Sequence, residues 1–297
     1  MRIALATCAQ AFVGKADEEA LEAALVARGL PFEDLSWDDP TVDWARYDAI
    51  VLRTVWDYHD KPEAFSAWLD ALPARAKLFN PAPIVRWNGR KDYLRELEAA
   101  GVAIAPTRWL PAGERHDLAR CCRELGVEAR AFLKPWIGAN ASHTMRFDAA
   151  RELPAAQAFL DELSPSRAMM LQPYLQSVER EGEYSLIYFA DQLSHATRKI
   201  PVPGDYRVQD DWGASDEPWT PDASALALGE QTLTALAGIA GARGWDIELP
   251  LLYARVDLLR DERGAWVLNE LELIEPSLFF RHDPQAAGRM VEALMAR

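Results

Sequence analysis

Two short segments near the end of the chain carry charged side chains that could do chemistry together. Arg255 and Asp257 alternate in one segment, and Glu270 and Glu272 alternate in the other. Because successive side chains of a strand point to opposite faces, each pair is expected on one face. The turn-like segment 261–265 between them predicts a hairpin that places Asp257 opposite Glu270 and Arg255 opposite Glu272.

Three carboxylates on neighbouring strands repel each other unless a cation lies between them. Oxygen ligands without a nearby cysteine or histidine favour Mg²⁺ over Zn²⁺, with Mn²⁺ as a second option. We therefore predict a metal site formed by Asp257, Glu270 and Glu272. A solvated, charged strand face is the alternative for any one of these acids. The apolar residues around them favour strands inside a sheet, where an unpaired charge is costly.

A second polar group follows the apolar run 49–52, which predicts a parallel strand buried on both faces. Ligands of such sheets bind beyond the carboxyl ends of the strands. The residues at that place offer a guanidinium, a hydroxyl, a carboxylate and two aromatic rings: Arg53, Thr54, Trp56, Asp57 and Tyr58. This combination suits a small zwitterion such as an amino acid. A loop anchored by its two aromatic residues is the alternative.

Composition limits the classes of protein and partner. The 297 residues are 49% hydrophobic and 26% charged, as in an ordinary globular protein. The 46 acidic residues outnumber 32 Lys and Arg for a net charge of −14, and no basic block is present, so nucleic acid is not an expected partner. The apolar start is too short for a signal peptide and no run could span a bilayer, which makes a cytoplasmic location without a membrane partner the expectation. The three cysteines lack zinc spacing and are interpreted as structural thiols.

The elements that position these residues fall into three regions. Residues 1–86 alternate short apolar strands with helical stretches and end in a linker-like segment at 80–83. Residues 87–175 predict a helix that ends at Gly101, a helix at 117–125, strands at 131–136 and 169–174 and a small-residue loop at 138–144. Residues 176–297 predict an antiparallel pair at 183–189 and 193–201, a polar loop at 203–221, a helix at 222–242, the acidic hairpin and a last helix at 285–296.

The order of these features resembles the ATP-grasp superfamily. An isolated Lys91 precedes a helix, Leu133-Lys134-Pro135 ends a strand, and Gln172-Pro173-Tyr174-Leu175 ends another before the acidic hairpin. The resemblance covers the chain from about Lys91 onward, and the first 85 residues resemble the domain that precedes it. It implies an α/β (α+β) ATP-grasp fold with an N-terminal pre-ATP-grasp α/β domain, a central lid subdomain and a C-terminal antiparallel-sheet subdomain. Segments 53–58 and 270–279 are most similar to the O-ureidoserine cyclo-ligases of D-cycloserine biosynthesis.

The resemblance also implies residue roles. The nucleotide would contact Lys91, Lys134, Ser142, Gln172, Tyr174, Leu175 and Glu179. Asp257, Glu270 and Glu272 match the magnesium ligands, although many relatives have asparagine in place of Glu272. Arg255 and Lys199 match the groups at the transferring phosphoryl group, with a salt bridge to Glu272 as the alternative for Arg255. Ser277 would meet the substrate or simply form a turn.

The activity implied by the resemblance is that of an ATP-dependent, ADP-forming ligase. It would activate a small amino-acid carboxylate as an acyl phosphate for attack by a nitrogen, as in the cyclisation of O-ureidoserine to cycloserine. An intermolecular carboxylate-amine ligase is one alternative. A non-catalytic nucleotide-binding protein of the same fold and a phosphoryl transferase are others. A small amino-acid-like substrate is the expected partner, and a homodimer is considered.

Overall fold

In the computed structural model, residues 1–9, 15–127 and 129–297 are described. The strands of this part form three sheets. Their bounds are β1 Ile3–Thr7, β2 Phe32–Ser36, β3 Ala49–Thr54, β4 Lys77–Phe79, β5 Arg108–Leu110, β6 Arg130–Pro135, β7 Met145–Asp148, β8 Met169–Pro173, β9 Glu183–Phe189, β10 Gln192–Ile200, β11 Ser215–Pro218, β12 Tyr253–Arg260 and β13 Trp266–Glu272.

The α-helices connect and cover these sheets. Their bounds are α1 Lys15–Ala27, α2 Pro62–Ala71, α3 Ala82–Asn88, α4 Tyr93–Ala99, α5 Leu118–Leu125, α6 Leu153–Leu163, α7 Ser177–Arg180, α8 Ala223–Ala242 and α9 Ala286–Met295. None of the helices in the described ranges combines the length and the apolar character needed to cross a membrane.

The first sheet is parallel, with strand order β2-β1-β3-β4. Every residue of β3 is buried, as its continuous apolar run predicts. The sequence interpretation did not include β2 or β4. The reason is visible in Phe32-Glu33-Asp34-Leu35-Ser36, which lacks an apolar run because β2 is an edge strand with only partly buried residues.

The segment at 80–83 is not a linker. Asn80 is fully buried, and its Nδ2 donates to the carbonyl oxygens of Tyr253 at 2.9 Å and Leu273 at 2.8 Å. Its Oδ1 accepts from the backbone N–H of Leu252 at 3.1 Å. Helix α3 begins two residues later. A buried amide that bonds three backbone groups joins the parallel sheet firmly to β12 and to the chain after β13.

The second sheet has the order β5-β8-β6-β7 and is antiparallel, with α5 and α6 packed on it. The predicted helix at 117–125 is confirmed as α5. Asp117 caps its start by accepting from the N–H of Arg120, and Gly126 ends it with φ = 71°, a left-handed conformation that glycine adopts without strain.

The third sheet has the order β11-β10-β9-β12-β13 and is antiparallel throughout. The predicted hairpin is confirmed, because Arg255 pairs with Glu272 and Asp257 pairs with Glu270. A bulge follows Asp257. The predicted polar loop contains the additional edge strand β11, whose Ser-Asp-Glu-Pro sequence carries no apolar signal.

Candidate active site

A cavity of about 270 Å³ is lined by residues of the second and third sheets and of the loop that follows β3. It brings together residues that are as much as 223 positions apart in the sequence, from Trp56 to Phe279. The predicted site residues in its lining are Trp56, Tyr58, Lys91, Lys134, Ser142, Gln172, Tyr174, Leu175, Lys199, Arg255, Asp257, Glu270, Glu272 and Ser277.

Asp257 lies on β12 at the buried end of the cavity. Its carboxylate accepts from Ser185 Oγ at 2.6 Å, Lys199 Nζ at 3.2 Å and an Arg255 guanidinium nitrogen at 2.9 Å. Burial on its own would raise the pKa of Asp257, but the positive charges of Arg255 and Lys199 hold that pKa well below its usual range. Asp257 therefore stays ionised in the protein interior.

Arg255 joins the two strands of the hairpin. Its guanidinium lies 2.6 Å from the carboxylate of Glu272 and donates to the carbonyl oxygen of Ser277 at 3.1 Å. The salt bridge considered as the alternative role of Arg255 is therefore present. Burial, together with the nearby charge of Asp257, raises the pKa of Glu272 to about 7 although Arg255 opposes the shift.

Glu270 on β13 is clamped between two lysines. Lys91 Nζ donates to one carboxylate oxygen at 3.0 Å, and Lys134 Nζ donates to the other at 3.2 Å. Burial would raise the pKa of Glu270, but the two lysine charges lower that pKa to about 2. Lys91 also donates to the carbonyl oxygen of Gly138, so it contacts the start of the small-residue loop.

The two lysines respond differently to this environment. Burial lowers the pKa of Lys134, and the adjacent charge of Lys91 contributes to that shift. Burial also opposes the charge of Lys91, but the acids Glu270 and Glu272 outweigh it and raise the pKa of Lys91. A cluster of ammonium groups around one carboxylate is a site that can exchange that carboxylate for another anion.

Glu183 is a site residue that the sequence interpretation missed. It is buried on β9, directly opposite Lys199 on β10, and it accepts from Lys199 Nζ. Its second oxygen accepts from Asn269 Nδ2 at 2.7 Å. The predicted hairpin about residues 190–192 carried the signal, because counting outward from position 191 sets 183 against 199.

The three acids predicted to bind a metal line one cavity, but each is paired with a lysine or arginine. Among the residues that the structure describes, no group of three or more His, Cys, Asp or Glu side chains is arranged to hold a metal ion. The donor chemistry nevertheless fits an oxygen-liganded cation. Burial, with a smaller contribution from neighbouring negative charge, raises the pKa of Glu272 and of the nearby Glu275, and a divalent cation would offset that charge.

Aromatic and polar residues line the other end of the cavity. Gln172 on β8 donates from Nε2 to Thr107 Oγ1 at 2.9 Å, and Tyr174 packs against Phe132. Ser142 lies 2.8 Å from His143 Nδ1 within the small-residue loop. A flat ligand such as a nucleobase could stack in this part of the cavity.

Glu179 is the one predicted nucleotide contact that does not line the cavity. It lies on the short helix α7, behind Tyr174, and its carboxylate accepts from Arg146 and from the Tyr174 hydroxyl. The Arg130 guanidinium lies 3.8 Å away. In this arrangement Glu179 supports the cavity wall through Tyr174.

Arg53, Thr54 and Asp57 also lie outside the cavity lining, so three of the six predicted substrate contacts are not brought to the site. Arg53 is 1% exposed and donates to both carboxylate oxygens of Glu18, at 2.7 and 3.1 Å. Asp57 accepts from the indole N–H of Trp37 at 2.7 Å. Arg53 also donates to the carbonyl oxygen of Pro276 at 3.4 Å. These contacts position the turn from which the aromatic residues reach the cavity.

One contact from a lysine and one between backbone groups also hold that turn in place. Lys61 donates to Asp57 at 2.8 Å, and Thr54, buried at the end of β3, accepts from the N–H of Cys8 through its carbonyl oxygen. Trp56 and Tyr58 are the members of the predicted substrate group that line the cavity. Arg53, Thr54 and Asp57 fit the alternative interpretation, a loop anchored by aromatic residues, while Trp56 and Tyr58 remain predicted substrate contacts.

Glu275 lines the cavity beyond the end of β13, and the sequence interpretation gave it no role. The indole N–H of Trp56 donates to its backbone carbonyl oxygen at 3.2 Å. Burial, with a contribution from the charge of Glu272, raises the pKa of Glu275 to about 8. Glu275 lies only three residues after Glu272, which could have indicated that it belongs to the site. However, β13 ends at Glu272, so the strand period does not predict where the Glu275 side chain points.

Known proteins resemble this chain in sequence and in fold. The family model described as D-cycloserine synthetase DcsG, N-terminal domain, matches residues 3–80. The cycloserine biosynthesis protein DcsG of Streptomyces lavendulae is 34% identical over 283 residues, which span 91% of this chain and 89% of that protein. The crystal structure of D-cycloserine synthetase DcsG superposes with a TM-score of 0.88 at 29% identity and covers 100% of this chain and 99% of that one.

A more distant structure shows the fold alone. The ATP-grasp ligase PsnB complexed with a minimal precursor superposes with a TM-score of 0.64 at 18% identity, over 99% of this chain and 98% of that chain. The predicted ATP-grasp fold is confirmed. The chain belongs to the D-cycloserine synthetase DcsG family of ATP-grasp ligases.

Proposed function

We propose that this chain is an ADP-forming ligase that activates the carboxylate of O-ureidoserine with ATP and closes it to cycloserine. The observation that carries the proposal is one cavity with two cationic clusters. Lys91 and Lys134 surround Glu270, and Arg255 and Lys199 surround Asp257. The similarity to the Streptomyces lavendulae protein supports the choice of substrate.

The first cluster suits the phosphates of ATP. Lys91 and Lys134 would exchange Glu270 for phosphate oxygens, and the backbone of the loop around Ser142 would cover them. Gln172, Tyr174 and Leu175 would receive the adenine. Glu179 would reach the ribose only by leaving Arg146 and the Tyr174 hydroxyl, which hold it outside the cavity lining in this structure. The proposal that ATP binds at this end of the cavity is more general than the proposed cyclisation, because it holds for any ATP-dependent reaction at this site.

Asp257, Glu270 and Glu272 would hold Mg²⁺, and Mn²⁺ is a chemically similar replacement. When bound, the cation neutralises phosphate charge and holds the phosphate oxygens in place. The lysines and Arg255 that pair with these acids would then be released toward the anionic ligands. Carboxylate and ammonium groups in this site are therefore poised to exchange partners.

The first chemical step joins the substrate carboxylate to phosphorus. A carboxylate oxygen attacks the γ-phosphorus, an O–P bond forms, and the bond from that phosphorus to the ADP oxygen breaks. Arg255, which can hold two oxygens with its planar fork, and Lys199 would offset the negative charge that develops. The product is an acyl phosphate and ADP.

The second step closes the ring. The ureido nitrogen bound to oxygen attacks the activated carbonyl carbon, a C–N bond forms, and the C–O bond to phosphate breaks. The carbamoyl group is lost as carbon dioxide and ammonia, and one water is consumed overall. Because nucleophile and electrophile belong to one molecule, holding it folded against Trp56, Tyr58 and Ser277 gains the advantage of proximity.

Isotope transfer tests the acyl phosphate. The protein is incubated with ATP, Mg²⁺ and O-ureidoserine labelled with ¹⁸O in its carboxylate. We expect one ¹⁸O atom in each released phosphate, and hydroxylamine should trap a hydroxamate. Arg255→Lys should reduce both signals, whereas Arg263→Lys, in the exposed hairpin turn, should leave them unchanged. Phosphate without ¹⁸O would overturn carboxylate activation.

A further inference from the structure

The acids that line the cavity differ in their partners. Those with a lysine or arginine within 4.0 Å are Glu183, Asp210, Asp257, Glu270 and Glu272. Asp211 is exposed, in a short 3₁₀ turn. Within the described part of the chain, Glu275 is the remaining acid of this lining; its side chain is only partly exposed, and no ion pair neutralises it. Lys91 and Arg255 line the same cavity, but each is paired with other acids. A partly buried carboxylate with no cation of its own is costly unless a ligand supplies one.

The wall around Glu275 is aromatic. Trp56 donates its indole N–H to the Glu275 carbonyl oxygen at 3.2 Å, so the ring is fixed beside this residue. Tyr58 also lines the cavity, and among the described residues its hydroxyl has no hydrogen-bond partner. Aromatic faces and a carboxylate are the groups that recognise an ammonium ion.

The same part of the cavity has a positive end. Arg255, with Ser277 next to it, faces the cavity on the side where the proposed reaction places the substrate carboxylate. Arg255 is paired with Asp257 and Glu272 in this structure and would be freed when Mg²⁺ binds those acids. Its guanidinium and the unpaired carboxylate of Glu275 would then match the two charges of an amino-acid zwitterion. Arg53 and Asp57, which the sequence offered for this purpose, lie outside the cavity lining, where Arg53 pairs with Glu18 and Asp57 pairs with Trp37 and Lys61.

We propose that Glu275 binds the α-ammonium group of the substrate, with Trp56 and Tyr58 forming the sides of the subsite. This rests on the proposed function, because it assigns a subsite for the same amino acid. The substrate class becomes α-amino acids with the ammonium group free, rather than carboxylic acids in general.

The subsite has a chemical consequence for the product. An ammonium group paired with a carboxylate holds its proton more tightly, so it is a poor nucleophile. The α-nitrogen is thereby kept from attacking an acyl phosphate, and the ureido nitrogen of the same molecule is left as the attacking group. Loss of Glu275 should therefore permit dipeptide by-products as well as weaken binding.

A binding cycle tests the proposal without turnover. Calorimetric titration is carried out with Mg²⁺ and a non-hydrolysable ATP analogue, using O-ureidoserine and the matched acid that lacks the α-amino group. We expect wild type to prefer O-ureidoserine by at least about 10-fold. Glu275→Gln should lose this preference while binding the deamino acid as wild type does. Glu262→Gln, in the exposed hairpin turn, is the matched control and should keep the preference.

Retention of the full preference in Glu275→Gln would overturn the assignment, as would an equal loss of affinity for both ligands. Glu275→Asp, which keeps the charge, should retain part of the preference, and unfolding temperatures and the affinity for the ATP analogue check that each variant is folded. If wild type does not bind O-ureidoserine, the proposed substrate is wrong. The same cycle is then run with an amino acid that does bind and its deamino partner, and binding of no amino acid overturns both proposals.

Discussion

Lys134 on β6 lies 3.2 Å from Glu270 on β13, so an ion pair joins the second sheet to the third across the cavity. The Lys134 side chain is 6% exposed. Lys91 occupies the other oxygen of the same carboxylate. Because the lysines expected to bind phosphate are held by the acid expected to bind Mg²⁺, nucleotide and metal should bind together by exchanging these partners.

Replacement of Lys134 tests the nucleotide end. Lys134→Met keeps most of the side-chain volume but removes the charge, and we expect kcat/KM for ATP to fall about 100-fold or more. ADP release measured against ATP concentration gives this value. The control is Lys77→Met, because the Lys77 ammonium pairs with the exposed Glu248. This variant should behave as wild type. An unchanged kcat/KM in Lys134→Met would remove this lysine from the nucleotide site.

Replacement of Glu270 tests the metal site. Glu270→Gln preserves shape and removes a charged oxygen ligand, so we expect turnover at saturating ATP to fall at least about 100-fold and to require more Mg²⁺. A Mg²⁺ titration of ADP release measures both effects. Glu262→Gln should show the wild-type titration. Normal turnover at low Mg²⁺ in Glu270→Gln would contradict the assignment of Glu270 as a ligand.

Asp57 should act on stability rather than on the substrate. Asp57→Ala leaves the buried indole N–H of Trp37 without its acceptor, while the ammonium of Lys61 keeps Asp38 as its remaining partner. We expect the free energy of unfolding to fall by about 1–3 kcal/mol, with KM for the amino acid changed less than twofold. Urea denaturation and initial rates measure the two quantities. A large rise in KM without loss of stability would return Asp57 to the substrate site.

Glu275 should make stability depend on pH. Its pKa in the folded protein, about 8, is above the ordinary value of 4.5, so the unfolded chain releases its proton first as pH rises. The contribution of this group to stability is therefore lost progressively between about pH 4.5 and pH 8. Urea denaturation of the ligand-free protein at pH 6.5 and 8.5 should show a smaller fall in Glu275→Gln than in wild type. Equal falls would contradict the raised pKa.

Local patterns in the sequence were sufficient to predict much of the site. The strand period and the turn placed Arg255, Asp257, Glu270 and Glu272 correctly, because a hairpin is a local structure whose register follows from its turn. The fold was identified from the order in which the motifs follow one another, because that order extends over most of the chain and does not depend on any single motif. The edge strands β2 and β11 were not predicted, because their sequences lack an apolar run.

Contacts between distant segments could not be predicted in the same way. From the sequence alone, Asn80 was interpreted as part of a linker. In the structure its side-chain amide bonds the carbonyl oxygens of Tyr253 and Leu273, which are more than 170 residues away. Asp57 was interpreted as a substrate contact, but its carboxylate accepts a hydrogen bond from Trp37, 20 residues earlier. Glu275 follows the last residue of β13, where neither strand nor helix period fixes a direction. In each case the partner, rather than the residue type, decides the role.

The most direct test of the central claim is product stoichiometry. The protein is incubated with ATP, Mg²⁺ and each enantiomer of O-ureidoserine, and ADP and cycloserine are quantified by mass spectrometry. We predict equal amounts of ADP and cycloserine with one enantiomer. ADP accompanied by an open-chain amide only when a second amine is added would contradict cyclisation and favour an intermolecular ligase, and no ADP with any amino acid would contradict the ligase itself.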